Sequence, residues 1–430
     1  MKCKNCKKRS LKKIVKIGKQ PLSGFFYSTK KNNLDKYSLD LYKCSKCELV
    51  QLNNTANTKR MYGAHYGYKT SVSKLMLSHL RKKINRLKKR KLIKTGNNIL
   101  DIGSNDASFL KLFGKKYCLY GIDPSAEKFK KEYKGIKLIT DFFSKKTVLK
   151  HLKNKDIKFD LISSFAMFYD VEDPNSFCQD IEKLLNDEGI WVCEFSYLPL
   201  MLKNLTFDQI CHEHIMYYTF GVFEKILKKN NLKIIDITFN EINGGSIEVI
   251  SAKNKSKITC NKNLINIIKK DEKKITKKAF YNFLKRIKKV KNDLVNFVNK
   301  NSPIAGYGAS TKGNIFLNYC NLNSNQMSYI CDANKQKFGK YTPGTNIKII
   351  SKEKMRVLNP KYMLVLIWSF RSEIIKQELS YIKKGGNLIF HLPKFHIISS
   401  VLNTTNILNT IVLCILLSKN IRPVKKEALN

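Results

Sequence analysis

The chain has 430 residues, with 81 Lys or Arg against 33 Asp or Glu, so its formal net charge is +48. A content of 43% apolar and 11% aromatic residues excludes a disordered basic tail, a collagen-like chain and a disulfide mini-protein, and the length predicts two to three domains. Nine of the 81 cationic residues are Arg; because nucleic-acid readers rely on Arg forks, the charge leaves nucleic-acid binding open without indicating it.

Two C-x-x-C pairs lie within the first fifty residues, Cys3 with Cys6 and Cys44 with Cys47. Four thiolates at this spacing can bind one tetrahedral Zn²⁺ and form a closed, structural site. Disulfides or idle thiols are the alternatives. Disulfides are disfavoured because the N-terminus has no secretory signal pattern and the other eight cysteines are scattered singly. We therefore expect a zinc-binding domain over residues 1–60.

An amphipathic helix is predicted within residues 70–94. Its apolar positions recur at helical spacing: Leu75, Leu77, Leu80, Ile84 and Leu87. The opposite Lys/Arg face could contact phosphate, although such a face is more commonly exposed to solvent.

Strand and helix patterns then alternate, which predicts an α/β fold with a parallel, doubly wound sheet for residues 61–252. The predicted strands cover residues 98–103, 119–124, 137–141, 159–164 and 189–194. Residues 253–302 read as a helical linker. Strand patterns at 304–308, 329–332, 362–368 and 387–390 predict a second, smaller Rossmann-like domain over residues 303–396.

The tail, residues 397–430, receives no assignment. Its apolar run, residues 407–417, is too short for a membrane span and is interpreted as a terminal packing segment.

A cofactor site is predicted where the first two strands of the doubly wound sheet end, because ligands of such sheets bind at the carboxyl ends of strands. The segment 101–106 follows the first strand and is expected to open a helix, and Asp123 ends the second strand, where it can bind a ribose diol. The dinucleotide pattern G-x-G-x-x-G is absent, so S-adenosylmethionine fits better than NAD. The predicted cofactor-binding residues are Asp101, Gly103, Asn105, Asp106, Asp123, Asp141, Phe142 and Phe165. The alternative is an ordinary α/β domain whose glycines and acids serve turns.

A second cluster of reactive side chains, Cys211-His212-Glu213-His214, follows the fifth strand. The two histidines are two residues apart, unlike the H-E-x-x-H pattern of zinc proteases. A His beside a Glu past the carboxyl edge of the sheet can supply a general base and its orienting acid; structural histidines are the alternative. Gly244, in the turn 243–246, could line the same pocket or serve a hairpin.

Taken together, these motifs resemble the three-domain sugar-nucleotide C-methyltransferases, which use S-adenosylmethionine. The resemblance covers roughly residues 3–396. It rests on the order of these segments: the paired C-x-x-C motifs, 20–22, 62–68, 101–106, 212–214, 244–246, 306–314, 341–345 and 385–386.

The resemblance implies that a base removes the proton alpha to the ketone of a nucleotide-linked keto-sugar, and that the enolate carbon takes the methyl group. By position His214 would be the base and Glu213 would orient or assist it, with His212 near the substrate. The family usually has Tyr where this chain has Cys211, a poorer hydrogen-bond donor. Either Tyr66 or Tyr68 would then cover the role of that phenol, or the substrate would differ.

The second Rossmann-like domain offers a candidate anion site. Gly306, Gly308 and Lys312 lie between a strand and a helix, a setting that suits a diphosphate. Tyr341 could edge the pocket. For Gly306, Gly308 and Lys312 the alternative is a purely structural βα turn. For Tyr341 the alternative is a plain β-turn.

Two other functions remain open on sequence alone. A nucleic-acid methyltransferase would carry Asn/Asp-Pro-Pro-Tyr/Phe after the fourth strand, where this chain has residues 163–166, Ser-Ser-Phe-Ala. A non-catalytic homologue is suggested by Cys211. The expectation adopted is a cytoplasmic, monomeric enzyme with S-adenosylmethionine and structural Zn²⁺, acting on a small molecule and binding neither nucleic acid nor membrane.

Overall fold

The computed structural model describes residues 1–53, 56, 61–62, 67–259 and 262–400. Two sequence predictions, the role of Tyr66 and the packing of the apolar run 407–417, lie outside these residues. None of the helices within the described ranges is long and apolar enough to cross a membrane.

The N-terminal region consists of short strands. They are β1 (Leu11–Val15), β2 (Lys19–Pro21), β3 (Lys36–Ser38), β4 (Leu41–Cys44) and β5 (Val50–Leu52). β2 and β3 form a hairpin, and the other three belong to an antiparallel sheet of order β1-β4-β5-β11. The last strand of that sheet, β11 (Met216–Tyr217), comes from the second domain.

The central sheet confirms the predicted doubly wound architecture. Its strands are β6 (Asn98–Ile102), β7 (Cys118–Ile122), β8 (Lys137–Ile139), β9 (Phe159–Phe165), β10 (Leu185–Ser196), β12 (Leu232–Asn240) and β13 (Ser246–Lys253). The order is β12-β13-β10-β9-β6-β7-β8, parallel from β10 to β8, with β13 antiparallel to β10 and to β12. The carboxyl ends of β9, β6, β7 and β8 therefore lie side by side.

Five helices accompany this sheet in the described ranges. They are α1 (Lys74–Lys89), α2 (Lys145–Leu152), α3 (Pro174–Leu184), α4 (Leu198–Asn204) and α5 (Phe220–Lys229). The predicted helix directly after residue 106 is wrong: the described segment 103–117 has a short 3-10 helix, Leu110–Leu112. Asn105 and Ala107 have φ angles of 49° and 58°, and such left-handed residues interrupt an α-helix.

The interpretation of the basic helix needs two corrections. Leu75 is exposed, and the buried stripe of α1 consists of Leu80, Lys83, Ile84 and Leu87. One of its lysines thus lies in the interior, on the face expected to be apolar.

The second α/β unit is also confirmed. After α6 (Lys262–Glu272) and α7 (Lys277–Asn301) come β14 (Ile304–Tyr307), α8 (Thr311–Cys320), β15 (Met327–Asp332), β16 (Lys348–Ser351), α9 (Lys352–Leu358), β17 (Tyr362–Val365), α10 (Arg371–Gln377), α11 (Leu379–Lys383), β18 (Asn387–Phe390) and β19 (His396–Ile398). The strand order is β16-β15-β14-β17-β18-β19, parallel except for the β18–β19 pair.

One apolar core joins all three regions. It combines side chains of the N-terminal sheet, of the segment before β11, of α7 and of the second α/β unit, among them Leu41, Phe207, Ile287 and Leu364. Because these residues share one buried cluster, the segment 207–214 lies where the three regions meet.

Candidate active site

The four cysteines of the C-x-x-C pairs converge. Their sulfur atoms all lie within 4.8 Å of one another, with 3.4 Å between Cys3 Sγ and Cys47 Sγ and 3.6 Å between Cys6 Sγ and Cys44 Sγ. Tetrahedral Zn–S bonds of about 2.3 Å require sulfur separations of about 3.8 Å. The hydrogen bond between Cys3 and Cys47 lowers the pKa of the Cys47 thiol and raises that of Cys3, so the two sulfur atoms share a proton. The residues present fit a structural zinc ion.

The zinc-binding cluster is attached to the central domain. Lys7 pairs with Asp173 at 2.8 Å, and Asn175 Nδ2 donates to Asn5 Oδ1 at 2.9 Å. β11 pairs with β5 immediately after the segment 211–214. The zinc-binding region therefore holds the chain directly downstream of His214.

Gly103 begins the predicted cofactor loop and adopts a φ of +75°. The positive φ favours glycine here, and a Cβ would also lie in tight contact with the Met167 side chain, at 3.3 Å. The backbone N–H of Asn105 donates to Asp123 Oδ2 at 2.9 Å, and Ser125 donates to Asp123 Oδ1 at 2.7 Å. Asp123 thus fixes the loop from the end of β7.

Asp101 lies buried at the base of this loop. Ser163 Oγ donates to Asp101 Oδ1 at 2.6 Å, and burial raises the pKa of the carboxyl to about 7. A carboxyl group with this pKa is partly protonated near neutral pH, and a cationic ligand that binds beside it would favour the loss of its proton.

Asn105 and Asp106 hold the entry segment of the domain. Thr70 N donates to Asn105 Oδ1 at 3.0 Å, Asn105 Nδ2 donates to the Tyr68 carbonyl at 3.2 Å, and Ser71 N donates to Asp106 Oδ2 at 3.0 Å. The structure places Tyr68, 46% exposed, over the cofactor loop.

The other predicted cofactor residues lie on the same sheet edge. Asp141 and Phe142 are exposed just past β8, where their side chains could contact the edge of a flat ring. Phe165 ends β9 and packs against Phe109 with ring centroids 4.8 Å apart. Gly103, Asp123 and Phe142 follow three adjacent strands, and this arrangement fits an adenosyl group laid across their ends.

His214 has the geometry of a general base. Its Nδ1 lies 2.9 Å from the Gln209 carbonyl, an acceptor, so Nδ1 carries the proton. Burial, with the nearby charge of Lys312, lowers the pKa of His214 to about 3. No hydrogen bond to Nε2 is found among the described residues, so a neutral ring presents an unprotonated nitrogen.

Glu213 and Cys211, close to His214 in the chain, are both buried. Glu213 is 8% exposed, burial raises its pKa, and its Oε2 has no hydrogen-bond partner within the described parts of the chain. Cys211 is buried, and burial holds the pKa of its thiol well above the usual range. Tyr169 packs against the His214 ring with centroids 4.1 Å apart and the ring planes inclined by 51°. Tyr217 Oη donates to the Gln209 carbonyl at 3.3 Å.

His212 faces the zinc-binding region. Its ring is 1% exposed and meets Tyr37 of β3 edge-on, with centroids 6.1 Å apart. Burial lowers the pKa of His212 to about 4, so the ring is neutral. The structure gives it a packing position, and contact with a substrate stays a prediction.

Lys312 reaches the same place from the second α/β unit. Its Nζ donates to Asn243 Oδ1 at 2.9 Å, and Trp368 Nε1 donates to Asp208 Oδ2 at 2.8 Å. The Lys312 side chain is therefore directed by its hydrogen bond toward residues 207–214, which we call the base loop. This differs from the free phosphate-binding cation expected from the sequence.

The glycines near Lys312 serve close packing. A Cβ on Gly306 would lie 2.7 Å from Ile330, and one on Gly308 would lie 2.6 Å from Ile367. Gly244 likewise makes room for Thr206 and Trp368. These contacts favour the structural βα turn over the predicted anion site. Tyr341 exchanges backbone hydrogen bonds of 2.7 and 3.1 Å with Tyr27.

Several residues at the site were not identified from the sequence. Asp170 accepts a hydrogen bond from Tyr62 at 2.7 Å, and burial raises its pKa well above the usual value. Below the sheet edge, buried Lys83 pairs with Glu194 and Glu248. The placement of Lys83 within the apolar stripe of α1 was the available signal, because a lysine at such a position needs a buried acid.

Three sequence families match consecutive parts of the chain. The family described as "Putative zinc binding domain" matches residues 3–62. The family described as "Methyltransferase domain" matches residues 74–237, and the "C-methyltransferase C-terminal domain" matches residues 241–393.

Among characterised proteins, C-methyltransferase NovU from Streptomyces niveus is 26% identical over 410 residues, covering 93% of this chain and 97% of its own length. Two solved structures align with part of the chain. An S-adenosylmethionine-dependent methyltransferase from Clostridium acetobutylicum has 14% identity and a TM-score of 0.32, covering 40% of this chain and 90% of its own. Magnesium protoporphyrin IX methyltransferase from Synechocystis, with bound S-adenosylmethionine, has 11% identity and a TM-score of 0.34, covering 47% and 100%.

Proposed function

We propose that this chain, whose three regions match a zinc-binding domain, a methyltransferase domain and a C-methyltransferase C-terminal domain, is an S-adenosylmethionine-dependent C-methyltransferase that methylates a carbon next to the ketone of a nucleotide-linked sugar. The observation that carries the proposal is His214, a neutral histidine with Nδ1 fixed and Nε2 free, at the meeting point of three domains.

Carbon methylation needs such a base because a C–H bond must lose its proton before the carbon can attack. His214 Nε2 takes the proton alpha to the ketone. Glu213, whose pKa burial raises, lies next in the chain and orients the acceptor or assists the transfer. When bound, S-adenosylmethionine supplies an electrophilic methyl group on sulfur.

The cofactor is held by the ends of β6, β7 and β8. Asp123 is placed for the ribose diol, Phe142 for the adenine ring and Asp101 for the amino-acid ammonium. These assignments rest on the loop geometry around Gly103 and on the exposure of Phe142. The four-cysteine cluster holds the zinc ion and takes no part in the chemistry.

The substrate class is supported by unpartnered buried oxygens near His214. Glu213 Oε2, Asp170 Oδ1 and Asp208 Oδ1 have no hydrogen-bond partner within the described residues. Buried acceptors need donors, and the hydroxyl groups of a sugar supply them. The order of motifs along the chain resembles the sugar-nucleotide enzymes. The cytoplasmic location and monomeric state stay predictions.

The test uses the purified protein, S-adenosylmethionine and a panel of nucleotide keto-sugars that differ in nucleobase. Mass spectrometry would detect the gain of one methylene unit, and carbon NMR would locate it. The proposal expects a new methyl group on the carbon next to the ketone for at least one panel member. Methylation on oxygen, or methyl transfer to RNA but to no sugar, would overturn it.

A further inference from the structure

A chain of hydrogen bonds connects the second α/β unit with the base. Lys312 Nζ donates to Asn243 Oδ1 at 2.9 Å, Gln209 Nε2 donates to the Asn243 carbonyl at 2.5 Å, and His214 Nδ1 donates to the Gln209 carbonyl at 2.9 Å. The side chain of Asn243 thus accepts a hydrogen bond from Lys312, and its backbone carbonyl accepts one from Gln209 in the base loop.

The conformation of Asn243 is adapted to this double role. Its φ is 56°, in the left-handed region that Asn tolerates better than most residues. The neighbouring Gly244 lets Trp368 approach, and Trp368 donates a hydrogen bond to Asp208, the middle residue of the short helix 207–209. Lys312 and the base loop are therefore fixed relative to each other by two contacts between domains.

The Lys312 ammonium has more N–H donors than the hydrogen bond found for it among the described residues uses. An ammonium has three N–H groups, and among the described residues Asn243 Oδ1 is its hydrogen-bond partner. Burial lowers the pKa of Lys312 and the charge of Asp208 raises it. Burial has the larger effect, so the pKa of Lys312 is lowered overall. Trp368 Nε1 donates a hydrogen bond to one oxygen of Asp208.

Removing a proton next to a ketone places negative charge on the ketone oxygen. A neutral histidine is too weak a base to do this unless that oxygen is stabilised by a donor or a cation. Given the proposed function, on which this inference rests, we propose that Lys312 is the electrophile of the reaction: its ammonium binds the enolate oxygen while His214 takes the proton.

The step balances within these groups. The C–H bond breaks, the proton moves to His214 Nε2, and the electron pair forms the C=C bond of the enolate with the charge on oxygen, facing Lys312. The enolate carbon then bonds to the methyl carbon, the sulfur keeps the pair of the broken S–C bond, and the ketone re-forms. Asn243 acts as a positioning residue, because it touches Lys312 and Gln209 rather than the substrate.

Three variants separate these roles. Lys312→Met removes the charge with little change in volume, and Lys312→Arg keeps a cation with a different shape. Asn243→Gly removes the side-chain acceptor but retains the left-handed backbone and its carbonyl. Lys337→Met is the matched control, since Lys337 lies at the same sheet edge and donates to the Ala309 carbonyl.

The readout is exchange of the alpha proton with solvent deuterium, followed by NMR on the panel sugar that the wild-type protein methylates, without cofactor. We expect Lys312→Met to lower the exchange rate at least about a hundredfold, the loss typical of one oxyanion contact. Lys312→Arg should recover part of the rate, Asn243→Gly should lose about tenfold without a change in melting temperature, and Lys337→Met should match wild type.

Each outcome decides one claim. Exchange in a folded Lys312→Met protein at the wild-type rate would overturn the role of Lys312 and leave the proposed function standing. Absence of exchange in the wild-type protein with every panel sugar would instead overturn the proposed function. If Lys312→Met fails to fold, loss of exchange in Asn243→Gly with unchanged melting supports the inference, and an unchanged rate contradicts it.

Discussion

The backbone N–H of Leu52 donates to the carbonyl of Ile215 at 2.9 Å, so the last strand of the zinc-binding region is bonded to the residue that follows His214. β5 and β11 continue this pairing over Val50 to Tyr217 and Gln51 to Met216. On the other side of the loop, His212 packs against Tyr37 of the same region. The zinc-binding region therefore supports the base loop from both sides.

Removing one zinc ligand should accordingly damage both stability and chemistry. We expect Cys44→Ser to lose bound zinc and to lower the melting temperature, because structural zinc contributes about 10 kcal/mol or more to folding in small zinc modules. The rate of alpha-proton exchange should fall as well, since β11 loses its support. Zinc content measured by atomic emission, with melting curves, checks this.

Cys118→Ser provides the control, because Cys118 is exposed and lies outside the cluster. It should keep about one zinc per chain and the wild-type melting temperature. A Cys44→Ser protein that retained full zinc content would contradict the assigned ligand set.

The cofactor site should depend on Asp123. Asp123→Asn removes the charge that accepts from Asn105 N and faces the predicted ribose position. Loss of a charged hydrogen bond costs about 1.5–3 kcal/mol, so the affinity for S-adenosylmethionine should fall about tenfold or more. Calorimetric titration of each protein measures this, with exposed Glu127→Gln as a control of unchanged affinity. Equal affinity in Asp123→Asn and wild type would place the ribose elsewhere.

The buried lysine of α1 should be important for stability. Lys83 is 5% exposed and pairs with Glu194 and Glu248, so Lys83→Met leaves two buried carboxylates without this cation. Breaking a buried ion pair from one side typically costs about 3–5 kcal/mol. Lys82→Met, at the exposed neighbouring position, should cost little.

The cost of Lys83→Met should also depend on pH. Burial alone would raise the pKa of Glu194, but Lys83 and His79 lower it from 4.5 to about 2. A lowered carboxyl pKa contributes stability that is complete above pH 4.5 and is lost as the pH falls toward 2. Denaturant unfolding should therefore show the largest difference between wild type and Lys83→Met at neutral pH and a smaller one near pH 3. A difference that grew on acidification would contradict this electrostatic account.

Local patterns were sufficient to predict the layers of this fold. Alternating apolar runs and turns located most strands of the two large sheets but not β12, β16 or β19. The spacing of Cys3, Cys6, Cys44 and Cys47 indicated the metal cluster. The end of β6 was located correctly, but the helix after it was not. Asn105 and Ala107 adopt positive φ angles there. Alanine rarely adopts such a conformation, so the residue type at position 107 does not predict it.

Contacts between distant segments could not be derived in the same way. Asn243 was considered as part of a turn, and its bond to Lys312 becomes visible when the second α/β unit docks. Lys312 was predicted as a phosphate ligand because a lysine after a βα turn commonly binds anions, whereas docking turns it toward the base loop. Gly306 and Gly308 suggested an anion cradle, yet Ile330 and Ile367 occupy the space beside them.

In the proposed reaction His214 removes a proton from a carbon next to a ketone, and exchange of that proton with solvent deuterium measures this step. His214→Asn keeps a side chain of similar polarity but has no basic nitrogen. With a panel sugar and no cofactor, we expect exchange by the wild-type protein and a loss of at least about a hundredfold in a folded His214→Asn variant. Exchange by that variant at the wild-type rate would contradict this role of His214.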